Sequence, residues 1–135
     1  MAAKRVSSPA GAVLLAMMVG CSPQPPAPSA PRLSHDRDLQ PLWDAKCSDC
    51  HMDRQAFGGL FLDAGHAYGN LVGVPASQLP TMARVEPGDP DHSYVWLKIQ
   101  GAHLGAGGYG ETIPVRWTED EKARILLWIE QGAPR

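Results

Sequence analysis

The clearest alternation of apolar and polar positions lies near the end of the chain. Ile125, Leu126, Trp128 and Ile129 form a broad apolar face at helical spacing, and Thr118-Glu119-Asp120-Glu121 ahead of them is a capping box. Its acids suit the positive end of the helix dipole, and Gly132 is placed for a stop. A second apolar set, Leu39, Leu42 and Trp43, predicts a helix that is capped by Asp38, tolerates Pro41 in its first turn and runs to Cys47. A turn at Pro87-Gly88-Asp89 leads to Pro90 at the first position of a third helix, with Val95, Leu97 and Ile99 available for burial. Between these, Gly59 to Asp63 reads as extended, Ala64 to Leu71 as one or two helical turns, and Gly101 to Gly110, with five glycines in ten residues, as a loop. No period-2 alternation is sustained and no internal repeat occurs, so the expected class is mainly α with irregular connections.

The start of the chain follows a different pattern. Lys4 and Arg5 precede an uncharged stretch from Val6 to Gly20, apolar from Ala12 to Val19. A positive region, a short apolar region and small residues before a cut describe an export signal, because a spanning helix needs about 20 apolar residues. Met18-Val19-Gly20-Cys21 resembles the lipobox of bacterial lipoproteins, with Met18 where leucine is usual. That resemblance implies a signal peptide over residues 1–20 and a lipid on Cys21; the alternatives are an ordinary cleaved signal or an uncleaved anchor with Cys21 incidental. Residues 21–35 then form a tether, since Ser22 to Pro31 holds five prolines in ten residues and favours an extended spacer of about 3 Å per residue. Residues 36–135 remain for one domain. Ser22 is not the aspartate associated with inner-membrane retention, so the expected location is the periplasmic side of the envelope, with a preference for the outer membrane.

Charge and cysteine content narrow the class. Across 135 residues, 12 Lys+Arg against 14 Asp+Glu give a net charge of −2, and loss of Lys4 and Arg5 makes the remainder more acidic. With no basic patch, a nucleic-acid partner is not expected. Three cysteines are too few for a disulfide-dense scaffold. Two of them lie in Cys47-Ser48-Asp49-Cys50-His51, and Cys-x-x-Cys-His is the attachment signature of c-type haem. Two thiols one turn apart reach the two vinyl groups of one porphyrin edge, and the next residue, a histidine, ligates iron. A thioredoxin-like pair would need a βαβ context. A structural zinc site would need a second ligand pair, which His35, His66, His92 and His103 do not form by spacing.

From about Asp36 to Ala133 the chain resembles a single-haem c-type cytochrome domain. It is closest to a variant group in which the haem motif is followed by segments like Gly59 to Asp63, Pro87 to Ser93 and Trp128 to Ala133. The resemblance implies a small helical domain around one covalently attached haem c, with Cys47 and Cys50 as thioethers and His51 as proximal iron ligand. Trp43, Trp96, Trp117, Trp128, Tyr94 and Phe61 would line the haem pocket or the core. Such domains usually carry Met-Pro before the last helix, whereas this chain has Ile113-Pro114, and isoleucine cannot ligate iron. Met52 adjoins the proximal histidine and cannot reach the opposite face. Met82 and His103 are the candidates for the distal ligand, with an open five-coordinate iron beside them; His66 has a weaker case and His92 is expected to be exposed. The expected function is electron transfer between redox partner proteins, with no enzymatic activity and with a membrane tether. The alternative is a haem protein that binds a small ligand at an open iron, for sensing, gas binding or minor peroxidase activity.

Overall fold

The computed structural model describes residues 29–52, 56–110, 113 and 115–135. The expected signal segment, Cys21 and the first part of the tether lie outside these residues, as do Thr112 and Pro114 of the Ile113 loop.

The described chain enters alongside its own C-terminus. The Leu33 N–H donates to Gln131 Oε1 at 2.9 Å, Gln131 Nε2 donates to the Pro31 carbonyl at 2.9 Å, and the His35 N–H donates to the Pro134 carbonyl at 2.9 Å. The first helical turn starts earlier than expected, at His35, so Asp38 is not its N-terminal cap. Ser34 takes that place in extended conformation, and the Asp38 carboxylate reaches back to accept the Ser34 N–H at 2.7 Å. His35–Leu39 forms one wide turn, in which the Gln40 N–H reaches the His35 carbonyl five residues back, and α1 (Gln40–Lys46) continues from it. The widening falls where Pro41 has no N–H to give and where a regular helix would press its ring on the Arg37 carbonyl.

A short turn, Phe57–Gly59, and α2 (Ala67–Leu71) follow. Next comes an antiparallel hairpin that no alternation in the sequence announced, β1 (Pro75–Ala76) with β2 (Leu79–Ala83), pairing Pro75 with Ala83 and Ala76 with Leu79. Two residues on one strand and an irregular register are too short to print a period of two. The turn Pro90–His92 starts as the sequence indicated, with Asp89 accepting the His92 N–H, and leads to α3 (Tyr94–Gln100). Helix α3 buries Tyr94, Trp96 and Ile99 and leaves Val95 and Leu97 half-buried. The last helix, α4 (Glu119–Glu130), has both halves of the capping box: Thr118 Oγ1 accepts the Glu121 N–H at 3.2 Å, and the Glu121 carboxylate accepts the Thr118 N–H at 2.8 Å.

Four α-helices and one two-stranded sheet make this a mainly helical arrangement among the described residues. One core joins them: Leu39, Trp43, Leu71, Ile125, Trp128 and Ile129 are all but inaccessible to solvent. Lys46 ties the end of α1 to the start of α4, its ammonium 3.0 Å from Glu121 Oε2 and donating to the Arg116 carbonyl at 2.8 Å. The segment that follows Lys46 therefore leaves the core from a fixed point.

Candidate functional site

That segment is Cys47 to His51. The helix proper stops at Lys46, yet its hydrogen bonding runs on: the Cys47 and Ser48 N–H groups both reach the Trp43 carbonyl, and Ser48 Oγ donates to the same atom at 3.1 Å. The Cys50 N–H donates to the Cys47 carbonyl at 3.2 Å, and the His51 N–H is shared between the Cys47 and Ser48 carbonyls at 3.0 Å each. Both thiols and the imidazole thus belong to one tight turn. Both cysteines are free thiols, Cys47 half-buried and Cys50 exposed.

Burial pushes the Cys47 thiol up to about 12, against the pull of the neighbouring Lys46 ammonium. At neutral pH it is a thiol, which is the wrong form for a redox-active dithiol. The βαβ setting such a pair needs is also missing among the described residues, where the only sheet is the antiparallel hairpin. No three His, Cys, Asp or Glu side chains among the described residues are placed to hold a metal ion, the Cys47, Cys50 and His51 set included.

The ring of His51 is oriented by the backbone. Its Nδ1–H donates to the Leu60 carbonyl at 3.2 Å, and since a carbonyl only accepts, the neutral imidazole carries its lone pair on Nε2. Burial holds the ring below its ordinary pKa, opposed by the carbonyls of Leu60 and Phe57, so the neutral form that a metal requires is favoured. The His51 carbonyl accepts the Leu62 N–H at 2.7 Å, which closes a short loop from His51 to Leu62. Phe57 stands edge-on to the His51 ring with centroids 6.4 Å apart, and it is 67% exposed. Met52, the next residue after His51, is exposed as well. A large apolar side chain bare beside the imidazole is what a flat apolar cofactor would cover. On the other side of Lys46, Trp117 packs edge-on against Trp43 and holds a buried indole N–H with no acceptor.

The remaining candidates stand elsewhere. Met82 is half-buried on β2. His103 is wholly buried in the glycine-rich loop, where Nε2 pairs with the Gly110 carbonyl at 3.1 Å and the ring lies edge-on to Tyr94. Its Nδ1 is buried without a partner. Gly108 lets Tyr94 close over this histidine, because a Cβ there would sit 2.7 Å from the Tyr94 ring. Ile113 packs against the main core. His66 and His92 are exposed, each paired with a carboxylate three residues earlier, Asp63 and Asp89.

Two residues that the sequence left unmarked bear on the site. His35 is a core residue, its Nε2 accepting the Trp43 indole N–H at 3.2 Å and its Nδ1–H donating to Asp36. Arg84 is a buried cation whose acceptors are all backbone carbonyls, those of Gly58, Gly59 and Asn70. Comparison of the chain with protein families, with curated proteins and with solved structures gives no match.

Proposed function

We propose that the chain is a membrane-tethered, single-haem c-type cytochrome that carries electrons between redox partner proteins on the periplasmic side of the envelope. The observation that supports it most is the Cys47–His51 turn, in which the Leu60 carbonyl fixes the tautomer of the His51 ring: Nδ1–H is donated and Nε2 carries the lone pair. The residues present fit the group. Cys47 and Cys50 offer free thiols one turn apart for thioether bonds, His51 offers a neutral imidazole, and Phe57 offers exposed apolar cover. When bound, haem c supplies one-electron cycling between ferric and ferrous iron.

The chain's part is to hold and tune. The Leu60 carbonyl on Nδ1–H would make His51 a stronger donor to iron and so favour the ferric state when haem is bound. Lys46 and Ser48 hold the start of the turn against α4 and α1. A lipid on Cys21 would keep the domain at a membrane, and no helix among the described residues is long and apolar enough to cross one.

A second reading rests on the distal side. His103 gives its Nε2–H to the Gly110 carbonyl and is covered by Tyr94, which favours an iron open to a small ligand over one capped by His103, and Ile113 has no donor atom to offer. Met82 keeps its place as the candidate for the capped form. The test is the visible spectrum of protein made with the haem-attachment machinery. Covalent haem that survives denaturation supports the proposal, and its absence overturns it. A ferrous spectrum unchanged by carbon monoxide identifies the capped electron carrier, whereas a large shift identifies the ligand-binding form.

A further inference from the structure

The loop that orients His51 is held from behind by one buried residue. Gly58 and Gly59 both adopt left-handed backbone, at φ +68° and +64°, which directs their carbonyls inward. Arg84 Nη2 meets both carbonyls at 3.1 Å, and Nη1 meets the Asn70 carbonyl at the end of α2 at 2.8 Å. The next carbonyl along the loop, that of Leu60, is the acceptor of the His51 Nδ1–H. Arg84 is itself anchored at both backbone atoms, its N–H on the Val74 carbonyl and its carbonyl on the Val95 N–H. Arg84 is only 8% exposed and its guanidinium has no carboxylate partner among the described ion pairs, so its burial is compensated by the three carbonyls it holds. Ser77 adds a second donor to the Gly58 carbonyl, at 2.9 Å from the hairpin turn.

We propose that Arg84 is the positioning residue of the candidate iron ligand: by clamping the Gly58 and Gly59 carbonyls it fixes the Leu60 carbonyl, and through it the orientation and donor strength of His51. The proposal rests on the haem reading above. Lysine has one ammonium where arginine has a planar fork, so Arg84→Lys keeps the charge and loses the bridging of three carbonyls. The experiment uses haem-loaded full chain, in the ferrous state saturated with carbon monoxide if the iron takes it and in the plain ferrous state if it does not. With 15N-labelled histidine, the Nδ1–H of His51 is followed by NMR for its exchange with solvent, and the midpoint potential is measured beside it.

Arg84→Lys is expected to speed Nδ1–H exchange at least tenfold and to raise the potential, because a weaker hydrogen bond makes the imidazole a poorer donor to ferric iron. A fall in thermal stability with exchange and potential unchanged would show a merely structural clamp and overturn the proposal. If Arg84→Lys does not fold, Arg84→Gln carries the test, since it removes the buried charge and the fork that bridges the carbonyls: faster exchange supports the clamp, and unchanged exchange overturns it. Failure of the haem reading is seen separately, as wild-type protein without covalent haem, and the proposal then falls with it.

Discussion

His35 shows how one side chain makes the fold sensitive to pH. Its Nε2 accepts the Trp43 indole N–H, so protonation would set two donors against each other in a buried place. Burial lowers its pKa from 6.5, with the Asp36 and Asp44 carboxylates opposing and the Arg135 guanidinium assisting. A histidine held neutral in the folded state costs nothing above 6.5, where the unfolded chain is neutral too. As pH falls below 6.5 the unfolded chain binds the proton first, and stability declines until the folded pKa is reached. Denaturation midpoints measured from pH 7.5 down to pH 5 should therefore fall with acid. His35→Gln, which keeps an acceptor for Trp43 and does not titrate, should flatten that slope. The depressed carboxylates Asp36, Asp38, Asp63 and Glu121 act lower, as pH drops through and below their ordinary range.

At the scale of elements, α4 is the piece whose ends are most firmly specified. Thr118→Ala removes one half of the capping box and should cost about 1 kcal/mol, read as a lower midpoint in urea. Glu121→Ala should cost more than Thr118→Ala, since Glu121 caps the helix and also pairs with Lys46 at 3.0 Å, and the same urea curves would show it. Both ends of α4 and the Asp89 cap were legible in the sequence because each signal lies within four residues of what it controls. The Cys47–His51 turn was legible for the same reason. The hairpin was not, because Pro75 and Ala76 are too few to show an alternation, and the wide turn at His35 was hidden because Asp38 mimics a cap. Arg84 was invisible in principle: its acceptors are backbone carbonyls 14 to 26 residues away, and no residue type marks a carbonyl. Nor did any spacing reveal that His103 would be enclosed by Tyr94 and Gly110.

For the molecule as a whole, the exposed Phe57 beside His51 implies that the proposed haem, once bound, would contribute to stability as well as to chemistry. Each ~100 Å² of apolar surface covered is worth about 2.5 kcal/mol before other costs. Protein in which Cys47→Ser and Cys50→Ser remove both attachment points should melt lower than haem-loaded wild type, and thermal unfolding followed by circular dichroism checks it. The pairing of residues 31–35 with Gln131 and Pro134 has a different kind of consequence. Leu33 is paired with Gln131, 98 residues on, and Pro31 with the same side chain at a separation of 100. Contacts of such separation are slow to form, because a long loop must close before they gain anything. Residues 31–35 are thus fastened late in folding, and a group joined to Cys47 and Cys50 before then would meet a chain still open at that end.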